Sequence, residues 1–450
     1  MTFANDFVWG AAAASYQVEG AYKTDARGLS VWDTFCRKPG KVYSGNTGDV
    51  ACDHYHRFEE DIKLMAELGL KAYRLSISWP RILPEGTGKI NEKGLEFYDR
   101  LIDCLLRHKI DPWVTLFHWD YPQALFDKGG WLNRQSSDWF AEYSKIVVDL
   151  LSNRVSKWMP LNEPQCFIDL GHRTGEHAPG LKLQLPDVLT AAHNCLLAHG
   201  KAVQVIRANA KIKPSIGTAL VALVPIPEKE NLINIELARK GTFSVYDNST
   251  MNNSWFADPM LLGQYPKDGL KRFEKEMPKF DDADMKTIAQ PLDFVGLNIY
   301  RGWKVRPSLK TGAAIVPAID GTPLTTMDWE VTPESLYWGP KFFYERYKLP
   351  IVITENGMAN CDWVYLDGKV HDPQRIDYIG RHLKEYKRAS DDGVNCKGYF
   401  YWSIMDNFEW AYGYSKRFGL VYVDYPTQKR TLKDSALWYK DVIKSNGTNL

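Results

Sequence analysis

The sequence predicts an α/β fold, a single (β/α)8 barrel with extended loops after its strands. Three observations carry that prediction. Eight short apolar runs alternate with longer stretches of helical period, the rhythm of parallel βαβ units. Several runs end in side chains able to do chemistry: Arg74, His118, Asn162-Glu163, Asn298 and Glu355-Asn356. A closed barrel brings every strand C-terminus to one face, whereas an open sheet gathers ligands only at its switch point. Neither a GxGxxG nor a P-loop follows any run, which disfavours a nucleotide-binding open sheet.

The elements follow in order. Residues 7–14, FVWGAAAA, are small and apolar and read as the first strand. In 53–68 the residues Tyr55, Phe58, Ile62, Met65 and Leu68 fall on one helical face, with Gly69 as the stop. The second strand is 72–79, AYRLSISW. A helix over 91–109 carries Leu95, Tyr98, Ile102 and Leu105 on its apolar face, behind an expected Asn91 cap. Strands are then expected at 111–117, 156–162, 214–222, 293–300, 350–355 and 397–404. Asp372-Pro373 opens the last clear helix as cap and first residue. Residues 301–340, rich in Gly, Pro and Trp, read as a long functional loop before the seventh strand.

The chain-wide numbers narrow the function. The 450 residues are expected to form one catalytic domain, 1–450. Lys and Arg number 56 against 55 Asp and Glu, for a net charge of +1, so no basic stripe marks a nucleic-acid partner. No apolar run reaches membrane-spanning length. The cysteines, at 36, 52, 104, 166, 195, 361 and 396, are odd in number and lack metal-ligand spacing. They suit free thiols in a reducing compartment. The N-terminus MTFANDFVWGAAAAS lacks the two regions of a signal peptide. A cytoplasmic location is therefore expected, and the sequons at Asn248, Asn252 and Asn446 read as chance.

Two acids stand out. Glu163 follows the apolar WMPL, and Glu355 follows Ile351-Val352-Ile353. Either alone is as readily a solvated loop acid. Together, each at a strand end beside Asn, they form the pair that glycoside hydrolysis needs. Two carboxyls about 5 Å apart resist joint ionisation, so one keeps its proton. Arg74, at the end of the second strand, is expected to favour charge on Glu355, and Tyr300 to donate a hydrogen bond to it.

The motifs extend this. NEP at 162–164 and TENG at 354–357 resemble the two signatures of glycoside hydrolase family 1. FVWGAAAASYQVEGA (7–21), YRLSISWPRILPEG (73–86), LFHWDYPQAL (116–125), HAPG (177–180) and YWSIMDNFEWAYGYSKRFGLVYVD (401–424) match it in order, over nearly the whole chain. The resemblance implies a (β/α)8 (TIM) barrel, hydrolysis of β-glycosides with retention, and neither metal nor cofactor. It implies Glu163 as acid/base and Glu355 as nucleophile, supported by Arg74, Asn298 and Tyr300. It implies Gln17, His118, Trp119, Asn162, Trp402, Glu409, Trp410 and Phe418 as the residues holding the non-reducing sugar. Trp402 is expected under the sugar's C–H face and Asn162 on its 2-hydroxyl.

Two departures bear on the leaving-group side. Gln165 stands where many relatives carry Trp, which implies a more polar aglycone side; Cys166 follows it and is read as inert. Trp329, in DWEVTPESLY, is the remaining aglycone platform. Glu409 argues for an unphosphorylated sugar, since it would repel phosphate. The expected substrate is a β-glucoside or a short β-linked oligosaccharide such as cellobiose, with β-galactoside or β-fucoside as side activities. Alternatives are a transglycosylating β-glucosidase, a 6-phospho-β-glycosidase and a non-catalytic carbohydrate-binding barrel. No oligomeric state is read from the chain.

Overall fold

The computed structural model describes residues 2–450. Its central sheet is built from β1 (Val8–Ala12), β2 (Ala72–Ser76), β3 (Asp111–Phe117), β4 (Lys157–Leu161), β5 (Ser215–Ile216) and β6 (Leu220–Val221). After β7 (Val224–Pro227), which lies outside it, come β8 (Val295–Asn298), then β9 (Gly302–Ser308) and β10 (Gly312–Ile315), also outside. The sheet is completed by β11 (Ile351–Asn356) and β12 (Cys396–Trp402). All its pairings are parallel, in the order β5-β4-β3-β2-β1-β12-β11-β8-β6.

The two ends of that order are halves of one strand. Ser215–Ile216 pairs with β4, Gly217 bridges Phe294, and Leu220–Val221 pairs with β8. The sheet therefore closes into an eight-stranded barrel, the architecture expected from the alternation. The expected 214–222 strand is interrupted because the Thr218 hydroxyl replaces a stretch of ladder. It donates to the Gly296 carbonyl at 3.0 Å and accepts from the Gly296 amide at 3.1 Å.

Two apolar layers hold the barrel. One fills its lumen: Ala12, Ala72, Trp113, Met159, Ala219, Phe294, Val352 and Phe400 pack together, with Trp113 4.9 Å from Phe400. Small residues on β1 leave room for these rings. A Cβ on Gly10 would lie 2.5 Å from the Phe400 ring. The other layer packs the sheet against surrounding helices, including His54–Glu67, Glu92–Arg107 and Pro373–Asp391. Among the described residues no helix is long and apolar enough to cross a membrane.

Two local expectations are corrected, and a third holds in position only. Asn91 precedes its helix but does not cap it with its side chain; its amide donates to the Asp25 and Arg81 carbonyls at 2.8 and 2.9 Å. Asp372 and Pro373 hold the expected cap and first helical positions, although the Asp372 carboxylate is taken by Ser435 and Arg375 and makes no capping bond. The 301–340 stretch is not one loop. β9 and β10 pair as an antiparallel hairpin, β7 joins β9 in parallel, and a helix begins at Ser335. The hairpin is largely exposed, so it shows no apolar run of the kind that marked the barrel strands. Only the segment between hairpin and helix remains irregular, and it carries Met327 and Trp329.

Candidate active site

A cavity of about 650 Å³ opens at the C-terminal ends of the barrel strands. Its floor is made by Glu163, after β4, and Glu355, within β11. Both are buried, 6% and 3% exposed. Glu163 has left-handed backbone (φ 43°) and its amide donates to the Ala219 carbonyl at 2.7 Å. Trp119 and Trp410, which also line the cavity, share that backbone region at φ 78° and 48°. Such conformations disfavour side chains with a Cβ and persist where surrounding structure enforces them.

The two carboxylates have different partners. Arg74 Nη1 donates to Glu355 Oε1 at 2.5 Å, and the Tyr300 hydroxyl donates to Oε2 at 2.6 Å. Glu163 Oε1 accepts from the Asn298 amide at 2.8 Å. Its bonded partner is thus a neutral amide, while Glu355 faces a cation. Burial and the charge of Glu355 push Glu163 up to about 7. Burial also raises Glu355, but Arg74 and Tyr300 act against that. The two acids are thus unequal: Glu163 is the more readily protonated, and Glu355 is the one whose ionised form has a cation and a phenol to stabilise it.

Neutral side chains fix this pair. Asn162 Oδ1 accepts from Arg74 Nη2 at 2.5 Å and from the Asn298 amide at 3.1 Å. Asn298 Oδ1 accepts from the Thr354 hydroxyl at 2.6 Å. With its oxygen so occupied, Asn162 turns its amide to His118 Nε2, at 3.0 Å. That nitrogen is therefore the acceptor and His118 carries its proton on Nδ1. Burial, with the Arg74 charge, holds the imidazole neutral, well below its usual pKa. The Trp119 indole donates to the Asn162 carbonyl at 3.0 Å.

Around the floor stand the other expected residues. Trp402 stacks on His118 with centroids 5.7 Å apart, and Trp410 lies 4.5 Å from Trp119. Gln17 donates to Asn407 Oδ1, the Phe408 carbonyl and Glu409 Oε2 at 3.1, 2.9 and 3.4 Å. Among the described residues its buried Oε1 has no partner. Burial, then the charges of Glu355 and Glu163, push Glu409 up to about 8. Phe418 and Trp329 complete one side.

Of the residues expected from the sequence, Glu163, Glu355, His118, Trp119, Asn162, Tyr300, Trp329, Trp402, Glu409, Trp410 and Phe418 form the cavity surface. Arg74, Asn298 and Gln17 sit behind it and act through their partners. Gln165 does not fit its expected place on the aglycone side. It is fully buried, and its amide donates to the Val221 carbonyl at 3.1 Å. The residue that reaches the cavity beside Glu163 is Cys166, whose thiol is kept protonated by burial and the Glu163 charge.

Sequence reasoning also missed several residues. Met327 and Tyr412 line the cavity; both flank motif residues, Trp329 and Trp410, which is the signal that would have found them. His177, inside the HAPG motif, lines it too. Lys433 gave no signal at all. Its buried ammonium lies 2.6 Å from Asp362 and 2.7 Å from Asp406. Asp406 also accepts from the Gly419 amide at 2.9 Å and pairs with Arg417 at 2.6 Å. This clasp fastens both ends of the loop that carries Glu409, Trp410 and Phe418 to the loop that follows Glu355.

Comparison with known proteins agrees with this geometry. The family model described as glycosyl hydrolase family 1 matches residues 1–448. Beta-glucosidase A of Acetivibrio thermocellus is 48% identical over 99% of each chain. A bifunctional beta-D-glucosidase/beta-D-fucosidase of Bifidobacterium breve is 42% identical over 98% of each. The solved beta-glucosidase from Thermotoga maritima in complex with glucoimidazole superposes with a TM-score of 0.91, at 47% identity over 99% of each chain. With its barrel, its two strand-end glutamates and these relatives, the chain belongs to glycosyl hydrolase family 1.

Proposed function

We propose that this chain is a retaining exo-β-glucosidase, cutting terminal non-reducing β-D-glucosyl residues through a covalent glycosyl-enzyme. The observation that carries the reading is the unequal environment of two neighbouring buried carboxyls. Glu355, ionised against Arg74, attacks the anomeric carbon. Glu163, protonated, gives its proton to the glycosidic oxygen as that C–O bond breaks. Glu163 is then a base; it takes a proton from the water that displaces Glu355 and restores the starting state.

The sugar is held by Glu409, oriented from behind by Gln17, on one side and by His118 and Asn162 on another, with Trp402 beneath its C–H face. The bonds Asn162 shares with Arg74 and Asn298 support a contact with the 2-hydroxyl that strengthens in the transition state. Among the described residues the one cation at the floor, Arg74, is committed to Glu355, which leaves none for a 6-phosphate and supports an unphosphorylated sugar. Beyond the floor the cavity has space for a second ring, which supports cellobiose and short β-linked oligosaccharides as substrates. The relative with β-D-fucosidase in its name supports a β-fucoside side activity. Seven unpaired cysteines support a reducing, cytoplasmic setting. The closed barrel supports one catalytic domain over the whole chain.

The test is turnover of matched aryl β-D-glucoside, β-D-galactoside and β-D-glucoside 6-phosphate. The glucoside should be cleaved fastest and the phosphorylated sugar not at all. Turnover of the phosphorylated substrate alone would overturn the role given to Glu409, and turnover of none would make the barrel a binding module.

A further inference from the structure

Resting on that reading of the floor, we propose that the leaving-group side is built for an aromatic acid, so that the favoured substrates are β-glucosides whose aglycone joins a ring to a carboxylate. Two features of the cavity mouth carry this.

The first is charge. One wall of the mouth is formed where residues 38–41 meet residues 174–182. Lys41 and Lys182 line the cavity there. The Lys41 ammonium donates to the Gly175 carbonyl at 3.3 Å, and Lys38 beside it to the Pro179 carbonyl at 3.4 Å. Among the described residues none of these three lysines has a carboxylate within 4 Å. By contrast Arg37, on the same loop, is paired with Asp49 at 2.9 Å. Backbone carbonyls hold an ammonium in place without neutralising it. The one carboxylate on this wall is Glu176, so the wall keeps an excess of positive charge facing the opening.

The second feature is shape. On the cavity surface beyond the floor stand two aromatic rings, Trp329 and Tyr412. Each is backed by a cation: the Arg301 guanidinium lies 5.5 Å from the Trp329 centroid and the Lys416 ammonium 5.4 Å from that of Tyr412. A cation on one face fixes a ring and leaves its other surface for stacking. A flat leaving group is thus received by aromatic surface, and an anion on its far end meets uncompensated lysines. The ring also spaces that anion from the carboxylate of Glu355, which would repel it.

The experiment compares the β-D-glucosides of 3-hydroxyphenylacetate and 3-hydroxyphenylacetamide. The methylene insulates the phenol, so the two leave equally well and differ in charge alone. For the wild-type protein at low ionic strength kcat/KM should favour the acid about tenfold, the sum of two partly exposed ion pairs. In about 1 M salt the preference should vanish. A Lys41→Met/Lys182→Met double variant should bring the ratio to parity by lowering kcat/KM for the acid more than for the amide, and Glu176→Gln should increase the ratio. A wild-type ratio at or below one, or a preference that survives the double lysine variant, would overturn the inference while leaving the glucosidase reading intact. Failure to cleave either substrate would instead remove the glucosidase reading itself.

Discussion

The ends of β4 and β11 present the same residue type to one cavity, and the structure makes opposite things of them. Both Glu163 and Glu355 follow an apolar strand, adjoin asparagine and are buried. At β11 the neighbours are a guanidinium and a phenol; at β4 the bonded neighbour is an amide. Burial alone penalises charge on either. What separates them is a single cation, Arg74, delivered from β2. The lesson is that the roles of two like residues are set by third parties on other strands, so the way to test the roles is to perturb those neighbours as well as the acids.

The largest effect is expected from Glu355→Ala, which removes the nucleophile from every substrate. Turnover should fall on the order of 10⁴-fold or more, with the thermal transition nearly unchanged, as steady-state rates and melting curves would show. Glu163→Ala should cost about 10²–10⁴-fold, the usual worth of a general acid, but only for alkyl glucosides and cellobiose. Formation of the glycosyl-enzyme from 2,4-dinitrophenyl β-D-glucoside, whose leaving group needs no proton, should be spared. Equal losses on both substrate types would erase the distinction between the two strand ends.

Smaller effects probe the neighbours. Tyr300→Phe deletes a hydrogen bond to a charged oxygen, worth about 1.5–3 kcal/mol, and should lower kcat/KM accordingly. It should also move the acid limb of the pH profile upward, because Glu355 loses a group that favours its ionised form. In the wild type, Glu163 is raised to about 7, so it is protonated below that pH. For unactivated substrates kcat/KM should therefore fall as pH rises through about 7, and this limb should be absent in Glu163→Gln acting on an activated aryl glucoside. The smallest effect is expected at Gln165. Since its side chain turns away from the cavity, Gln165→Leu should change discrimination between leaving groups by less than about 0.5 kcal/mol.

What could be read from the sequence divides along the same physical line. The barrel was legible because each strand is buried on both faces and so appears as an apolar run. The two glutamates were legible because they end such runs. Arg74, Asn298 and Tyr300 were found for the same reason. The mouth was less legible. Its lysines, Met327 and Tyr412 lie on loops whose spacing carries no period. The β9–β10 hairpin was hidden by its exposure, and Gln165 was misplaced because sequence position cannot say which way a side chain turns. The Lys433 clasp joins residues far apart in the chain, and neither Asp362 nor Asp406 sits at a strand end.

The most direct test of the two roles is the stereochemistry of azide rescue. Azide supplied to Glu355→Ala should enter from the face the nucleophile vacated and give the α-glucosyl azide. Azide supplied to Glu163→Ala should intercept the glycosyl-enzyme from the opposite face and give the β-glucosyl azide. Those two anomers from those two variants are the predicted result; the reverse pairing, or the same anomer from both, would contradict the assignment of nucleophile and acid.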